Sequence, residues 1–183
     1  MTVVFVLAAS ADSAGGRMLA LVMFVVAATS DWLDGYLARR MGLVTPLGKL
    51  LDPLADKILV CTGFVFFVRE GLCPLWVAAL IIGREFLVTG LRQIAVEAGQ
   101  VLAADRMGKW KTAFQLAFCI TGLVWLAFPA DSGIAVVSML RSWADPASWL
   151  LKVFLWGAAA LTGISGLNYV WNSRNLLRGR MQG

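Results

Sequence analysis

Histidine is absent from the 183 residues, which removes the side chain most often used as a general base near neutral pH. Charge is scarce as well: Asp, Glu, Lys and Arg make up 15% of the chain, against about 25% in a soluble domain. There are three cysteines, Cys61, Cys73 and Cys119. Their odd number and unrelated spacing argue against a disulfide framework or a zinc site. What fills the chain instead is apolar: 60% of residues are hydrophobic and the mean hydropathy is +0.77. That leaves too little polar surface to coat a water-exposed core, so cytosolic, disordered and collagen-like classes are excluded and the chain reads as a bilayer protein. A net charge of +5 would point to nucleic acid in a soluble protein. In a membrane protein the same lysines and arginines report which loops face the cytoplasm, and no nucleic-acid partner is expected. Acid–base or metal chemistry then falls to the carboxylates.

A span needs about 20 mostly apolar residues, and the sequence holds five such stretches plus a fragment. Met1 to Ser10 reads as the tail of a first span that is incomplete in this sequence. The others run from about Met18 to Arg40, Leu47 to Val68, Leu75 to Ala95, Thr112 to Phe128 and Trp149 to Val170. Thr45 and Pro46 read as N-cap and first residue of the third span. Pro129 to Ser148 reads as a loop with an apolar patch at Gly133 to Leu140. No internal repeat is visible. The expected fold is therefore all-α: a polytopic membrane helical bundle of about six transmembrane helices, one domain over residues 1–183. Placing the turn near 39–49, the 99–111 loop and the C-terminus on one side gathers Arg39, Arg40, Lys49, Arg106, Lys109, Lys111, Arg174, Arg178 and Arg180 there. Only Arg17, Arg69 and Arg141 are left opposite, so the first side is expected to be cytoplasmic.

Four aspartates, Asp31, Asp34, Asp52 and Asp56, lie within 26 residues on the cytoplasmic ends of two adjoining spans. Carboxylates at membrane depth are functional candidates. On one helix Asp31 and Asp34 are i and i+3, with Gly35 and Ala38 on the same stripe; on the next, Gly48, Asp52 and Asp56 recur at i, i+4 and i+8. Two helices joined by a short turn pack antiparallel, and the small residues leave room between them. Four clustered negative charges repel, and divalent cations neutralise them better than protonation does. Hard oxygen ligands suit Mg²⁺ or Mn²⁺, and four carboxylates suffice for two metals about 4 Å apart, an arrangement used for phosphoryl displacement. Arg39, Lys49 and Lys57 stand beside the pocket and suit anionic oxygens. The competing structural reading pairs the acids with Arg39, Arg40, Lys49 and Lys57 at the interface, but it leaves the two facing stripes unexplained.

Read in full, the segment resembles the CDP-alcohol phosphatidyltransferase family, whose signature is D-x2-D-G-x2-A-R-x8-G-x3-D-x3-D. All eight specified positions are filled: Asp31, Asp34, Gly35, Ala38, Arg39, Gly48, Asp52 and Asp56. A chance match is on the order of 1 in 10⁸ for a chain this long. The resemblance implies six transmembrane helices, a homodimer in a lipid membrane, and transfer of a phosphatidyl group from a CDP-linked lipid to an alcohol with release of CMP. It implies two divalent cations, Mg²⁺ or Mn²⁺, on Asp31, Asp34, Asp52 and Asp56, with Asp56 also the base for the acceptor hydroxyl. By the same resemblance Gly35, Ala38 and Gly48 leave room for the nucleotide, Arg39 meets its phosphates, and Asp31 also belongs to the CDP-lipid site.

The segments G83-R-E-F-L-V-T-G-L-R92 and G108-K-W-K-T-A-F-Q115 look like the phosphatidylglycerophosphate synthase branch of that family. Glycerol 3-phosphate is then the expected acceptor, a dianion calling for cations, and Arg84, Arg92, Lys109 and Lys111 are the candidates. Snorkelling to the interface, or pairing of Arg84 with Glu85 and of Arg92 with Glu97, is the competing account of those residues. Readings left open are another acceptor (inositol phosphate, serine or phosphatidylglycerol) and, from a different class, a divalent-cation transporter. The expected location is the bacterial cytoplasmic membrane, with the active site facing the cytoplasm.

Overall fold

The computed structural model describes the backbone of residues 1–11, 13–41, 46–97, 106–128 and 133–180, and the side chains of residues 1–11, 13–30, 57–95, 107–128 and 133–171. Among these the chain is helical throughout, with no strand. Seven helices follow in order: α1 (Thr2–Ser10), α2 (Ala14–Met41), α3 (Pro46–Arg69), α4 (Leu75–Glu97), α5 (Arg106–Ala127), α6 (Ala135–Ala144) and α7 (Trp149–Arg180). The five long ones have 22 residues or more, so each exceeds about 30 Å at 1.5 Å per residue, the thickness of a bilayer core. Within the described residues, Met107–Ala127 and Trp149–Trp171 are both long and apolar enough to cross a membrane.

Local chemistry sets the helix ends. Ser13 Oγ accepts the Gly16 N–H at 3.0 Å and so caps the start of α2. Past the end of α3, Gly71 takes a positive φ of 72°, and the Leu72 N–H turns back to the Phe67 carbonyl at 2.9 Å. A left-handed residue at that position favours glycine. The Pro74 carbonyl then accepts the first bonds of α4, from Val77 at 3.0 Å and Ala78 at 3.3 Å. In the same turn Cys73 is buried, which pushes its thiol up to about 11 and keeps it protonated and unreactive near neutral pH.

Residues 135–144, expected as loop, form α6. Val136, Met139, Leu140 and Trp143 recur at helical spacing and are exposed. Arg141 points the other way: its guanidinium lies 4.0 Å over the Trp125 ring and donates to the Trp125 carbonyl at 3.1 Å and to the Phe128 carbonyl. One cation thereby satisfies carbonyls at the end of α5 and pins α6 there. At ten residues α6 is too short to span. Two further differences are smaller: α5 begins at Arg106, so Lys109 and Lys111 are helical, and α7 continues to Arg180, well past the expected end at Val170.

Much of the outer surface is apolar, and a few polar side chains lie inside the apolar core. Leu19, Val22, Val65, Leu80, Leu87, Val153 and Trp156 are exposed, while Glu85, Lys111, Gln115, Thr162 and Ser165 are buried. Water would penalise that surface and lipid does not. Helix α5 packs against α7 and α2, α4 against α7 and α3, and α1 against α2 and α3. The core between α1, α2, α3 and α5 is aromatic: Phe5 meets Phe24 at 5.5 Å, Phe64 stacks on Phe118 at 5.3 Å, and Phe67 meets Phe118 edge-on at 5.2 Å between ring centroids. Lipid tails are as apolar as these rings, so dispersion and shape hold this core more than transfer out of water does.

Candidate functional site

Asp31, Asp34, Gly35, Ala38 and Arg39 fall on the last turns of α2, and Gly48, Asp52 and Asp56 on the first turns of α3. Both segments are helical, so the i/i+3 and i/i+4 spacings do place each set along one stripe, and α2 packs against α3. The side chains of all eight lie outside the described residues, as do the turn at 42–45 and the cap expected from Thr45. Helix α3 runs unbroken through Pro53.

The described part of the site begins one residue later. Lys57 Nζ donates to Thr89 Oγ1 on α4, which locks the register of α3 against α4 beside Asp56. Thr89 in turn donates to the Glu85 carbonyl at 2.7 Å. One turn back on α4, the Glu85 carboxylate accepts from Lys111 Nζ on α5 and sits 3.5 Å from Arg84 Nη1. Arg84 Nη2 donates to Ser165 Oγ on α7. Three helices therefore meet through one acid, two cations and one hydroxyl. Lys111 is 3% exposed and Glu85 6%, which only a paired charge tolerates at modest cost.

Two features mark this cluster as incomplete. Arg84 Nε and the Tyr169 hydroxyl are buried without any hydrogen-bond partner, and buried donors left unpaired are uncommon. Helices α4 and α5 also make no close backbone approach among the described residues. The Lys111–Glu85 pair spans the space between them with its long side chains. Gly166 lets the Arg84 side chain lie close against α7, because a Cβ there would stand 3.0 Å from Arg84 Cγ. Beyond it Gln115 Nε2 donates to Thr162 Oγ1 at 3.4 Å, so the polar seam continues between α5 and α7.

Of the four cations expected at the acceptor phosphate, the structure brings Arg84 and Lys111 together through Glu85, while Arg92 and Lys109 are exposed. Ser165, Gly166 and Tyr169 were missed by sequence reasoning. Their signal was a run of small or polar residues, Thr162, Ser165 and Gly166, inside an otherwise apolar helix. Among the described residues no three Cys, Asp or Glu side chains gather into a metal-binding group; the four aspartates lie outside that set.

Residues 1–164 match the CDP-alcohol phosphatidyltransferase family over most of the chain. The chain belongs to that family. Among curated relatives, this CDP-alcohol phosphatidyltransferase is 41% identical over 148 residues to the CDP-diacylglycerol–glycerol-3-phosphate 3-phosphatidyltransferase of Bacillus subtilis, covering 81% of this chain and 69% of the relative. The enzyme of the same name from Rickettsia felis is 32% identical over 166 residues, 91% of this chain and 84% of that one. A cardiolipin synthase (CMP-forming) from Oryza sativa subsp. japonica is 36% identical over 155 residues, covering 73% of this chain and 46% of its own length.

Proposed function

We propose that this CDP-alcohol phosphatidyltransferase transfers the phosphatidyl group of CDP-diacylglycerol to glycerol 3-phosphate, giving phosphatidylglycerophosphate and CMP. What carries the choice of acceptor is the buried pair Arg84 and Lys111, cations suited to a phosphate that a neutral alcohol would not need. The likeness to relatives named for the same reaction supports it.

The donor set on α2 and α3 consists of four carboxylates and no nitrogen or sulfur, which fits Mg²⁺ or Mn²⁺. Asp31, Asp34, Asp52 and Asp56 would hold two such ions. When bound, the ions supply positive charge against the donor's diphosphate. The protein's own part is positioning and proton removal. Asp56 accepts the proton of the acceptor hydroxyl, the freed oxygen bonds to the lipid-side phosphorus, the bond to the bridging oxygen breaks, and CMP departs with the electron pair. Gly35, Ala38 and Gly48 leave space for the nucleotide, Arg39 meets its phosphates, and Arg84 and Lys111, with Arg92 and Lys109 nearer the surface, orient the acceptor. A transition state of this kind is governed by orientation and charge neutralisation.

The remaining architecture belongs to the same reading. The chain forms one domain with α2 to α5 and α7 as spans. It acts as a homodimer in the bacterial cytoplasmic membrane, its aspartate end facing the cytoplasm. The likeness to a cardiolipin synthase favours a second reading, with phosphatidylglycerol as acceptor. Purified protein given CDP-diacylglycerol, Mg²⁺ or Mn²⁺ and a panel of labelled acceptors separates the two by product and CMP release. Metal flux without CMP release would instead indicate transport. In the same assay Asp56→Asn is expected to cut turnover by about 10²–10⁴-fold; near-normal turnover would remove Asp56 as the base.

A further inference from the structure

We infer that Glu85 is a positioning residue for the acceptor: its carboxylate holds the Lys111 ammonium and the Arg84 guanidinium at the separation that receives the acceptor's phosphate. This rests on the reading of Arg84 and Lys111 as acceptor ligands. Three observations converge on it. Glu85 is buried and is the one carboxylate touching either cation among the described residues. It reaches across a space between α4 and α5 that the two backbones leave open, so its bond to Lys111 sets where that ammonium sits. Charge does not balance there either: Arg84 and Lys111 both face the single Glu85 carboxylate among the described residues. Two cations against one anion leave a surplus of one positive charge, which favours an anionic ligand such as a phosphate monoester. The buried Arg84 Nε without a partner is a donor held ready for such a ligand.

Two physical effects oppose each other when Glu85 is neutralised, and they predict opposite signs. As a counter-charge alone, Glu85 weakens the pull on an anion, so Glu85→Gln would tighten acceptor binding. As a positioning group, it keeps Lys111 in the site. Without its carboxylate a buried ammonium is costly where it stands and swings towards the interface on a flexible stem, so Glu85→Gln would weaken binding. Burial decides for the second, because Lys111 has no other hydrogen-bond or ion-pair partner among the described residues and lies well inside the bundle.

The test is a double-mutant cycle on the full chain in reconstituted membranes, reading KM for glycerol 3-phosphate and KM for CDP-diacylglycerol by CMP release. Glu85→Gln is expected to raise the acceptor KM about tenfold and to move the CDP-diacylglycerol KM by less than twofold. Lys111→Met should raise the acceptor KM at least as much, and adding Glu85→Gln to Lys111→Met should add less than Glu85→Gln does alone, since Glu85 acts largely through Lys111. Glu85→Asp, which keeps the charge one methylene shorter, should recover part of the loss and also serves if Glu85→Gln does not fold. An unchanged or lowered acceptor KM in Glu85→Gln, or effects that multiply in the double variant, overturns the assignment. If Lys111→Met and Arg84→Met both leave the acceptor KM unchanged, the acceptor reading itself fails.

Discussion

At one end of the bundle Phe5, Phe24, Phe64, Phe66, Phe67 and Phe118 pack ring against ring between four helices. At the other, Lys57, Arg84, Glu85, Lys111 and Ser165 join four helices by ion pairs and hydrogen bonds. The two regions are close: Lys111 and Phe118 are seven residues apart on α5, about 10 Å along its axis. In the aromatic region every contact is non-directional and complete, and nothing there asks for a ligand. In the polar region each contact is directional, and Arg84 Nε and Tyr169 OH are left unpaired. Burying charge in a bilayer is expensive, and the proposed function accounts for a region kept polar and unsatisfied as the place that receives the acceptor's phosphate.

The largest effect that would sharpen this contrast is expected from Arg84→Ala. It removes the partner of both Glu85 and Ser165 and should lower kcat/KM for glycerol 3-phosphate by about 10²-fold or more, the cost of truncating one member of a buried charged pair. Steady-state CMP release at varied acceptor measures it. Phe118→Ala should do the reverse, lowering stability by about 3 kcal/mol in detergent unfolding while leaving the acceptor KM unaltered. Should it raise that KM as Arg84→Ala does, the two regions are one energetic unit and the contrast is broken. The smallest effect belongs to Arg141→Ala. Loss of its cation–π contact with Trp125 and of its bonds to two carbonyls should cost about 1 kcal/mol, read as a lower unfolding midpoint with acceptor kinetics intact.

Much of the architecture was legible because a bilayer imposes a length. The apolar stretches from Met18, Leu47, Leu75, Thr112 and Trp149 correspond to α2, α3, α4, α5 and α7, since backbone polar groups at membrane depth are satisfied within a helix. The fragment Met1 to Ser10 is helical as well. The segment 135–144 reads from the sequence as a loop with an apolar patch; spacing of three and four, with Arg141 on the opposite face, makes it helix α6. Arg84 and Lys111 are legible in the sequence as acceptor cations, whereas Glu85 reads there only as a local partner for Arg84. Nothing local indicates that Glu85 on α4 would meet Lys111 on α5, 26 positions away.

Sequence alone determined this protein's class: eight residues at set spacings on two adjoining helical segments, four of them carboxylates, place the chain in its family. That was possible because helical periodicity turns spacing along the chain into position on a face. The tertiary structure alone decided which charges are partners. A salt bridge depends on the distance between helices distant in sequence and on what covers it, so pairing of Lys111 with Glu85, the reach of Arg84 to Ser165, and the exposure of Arg92 and Lys109 followed only from how α4, α5 and α7 pack.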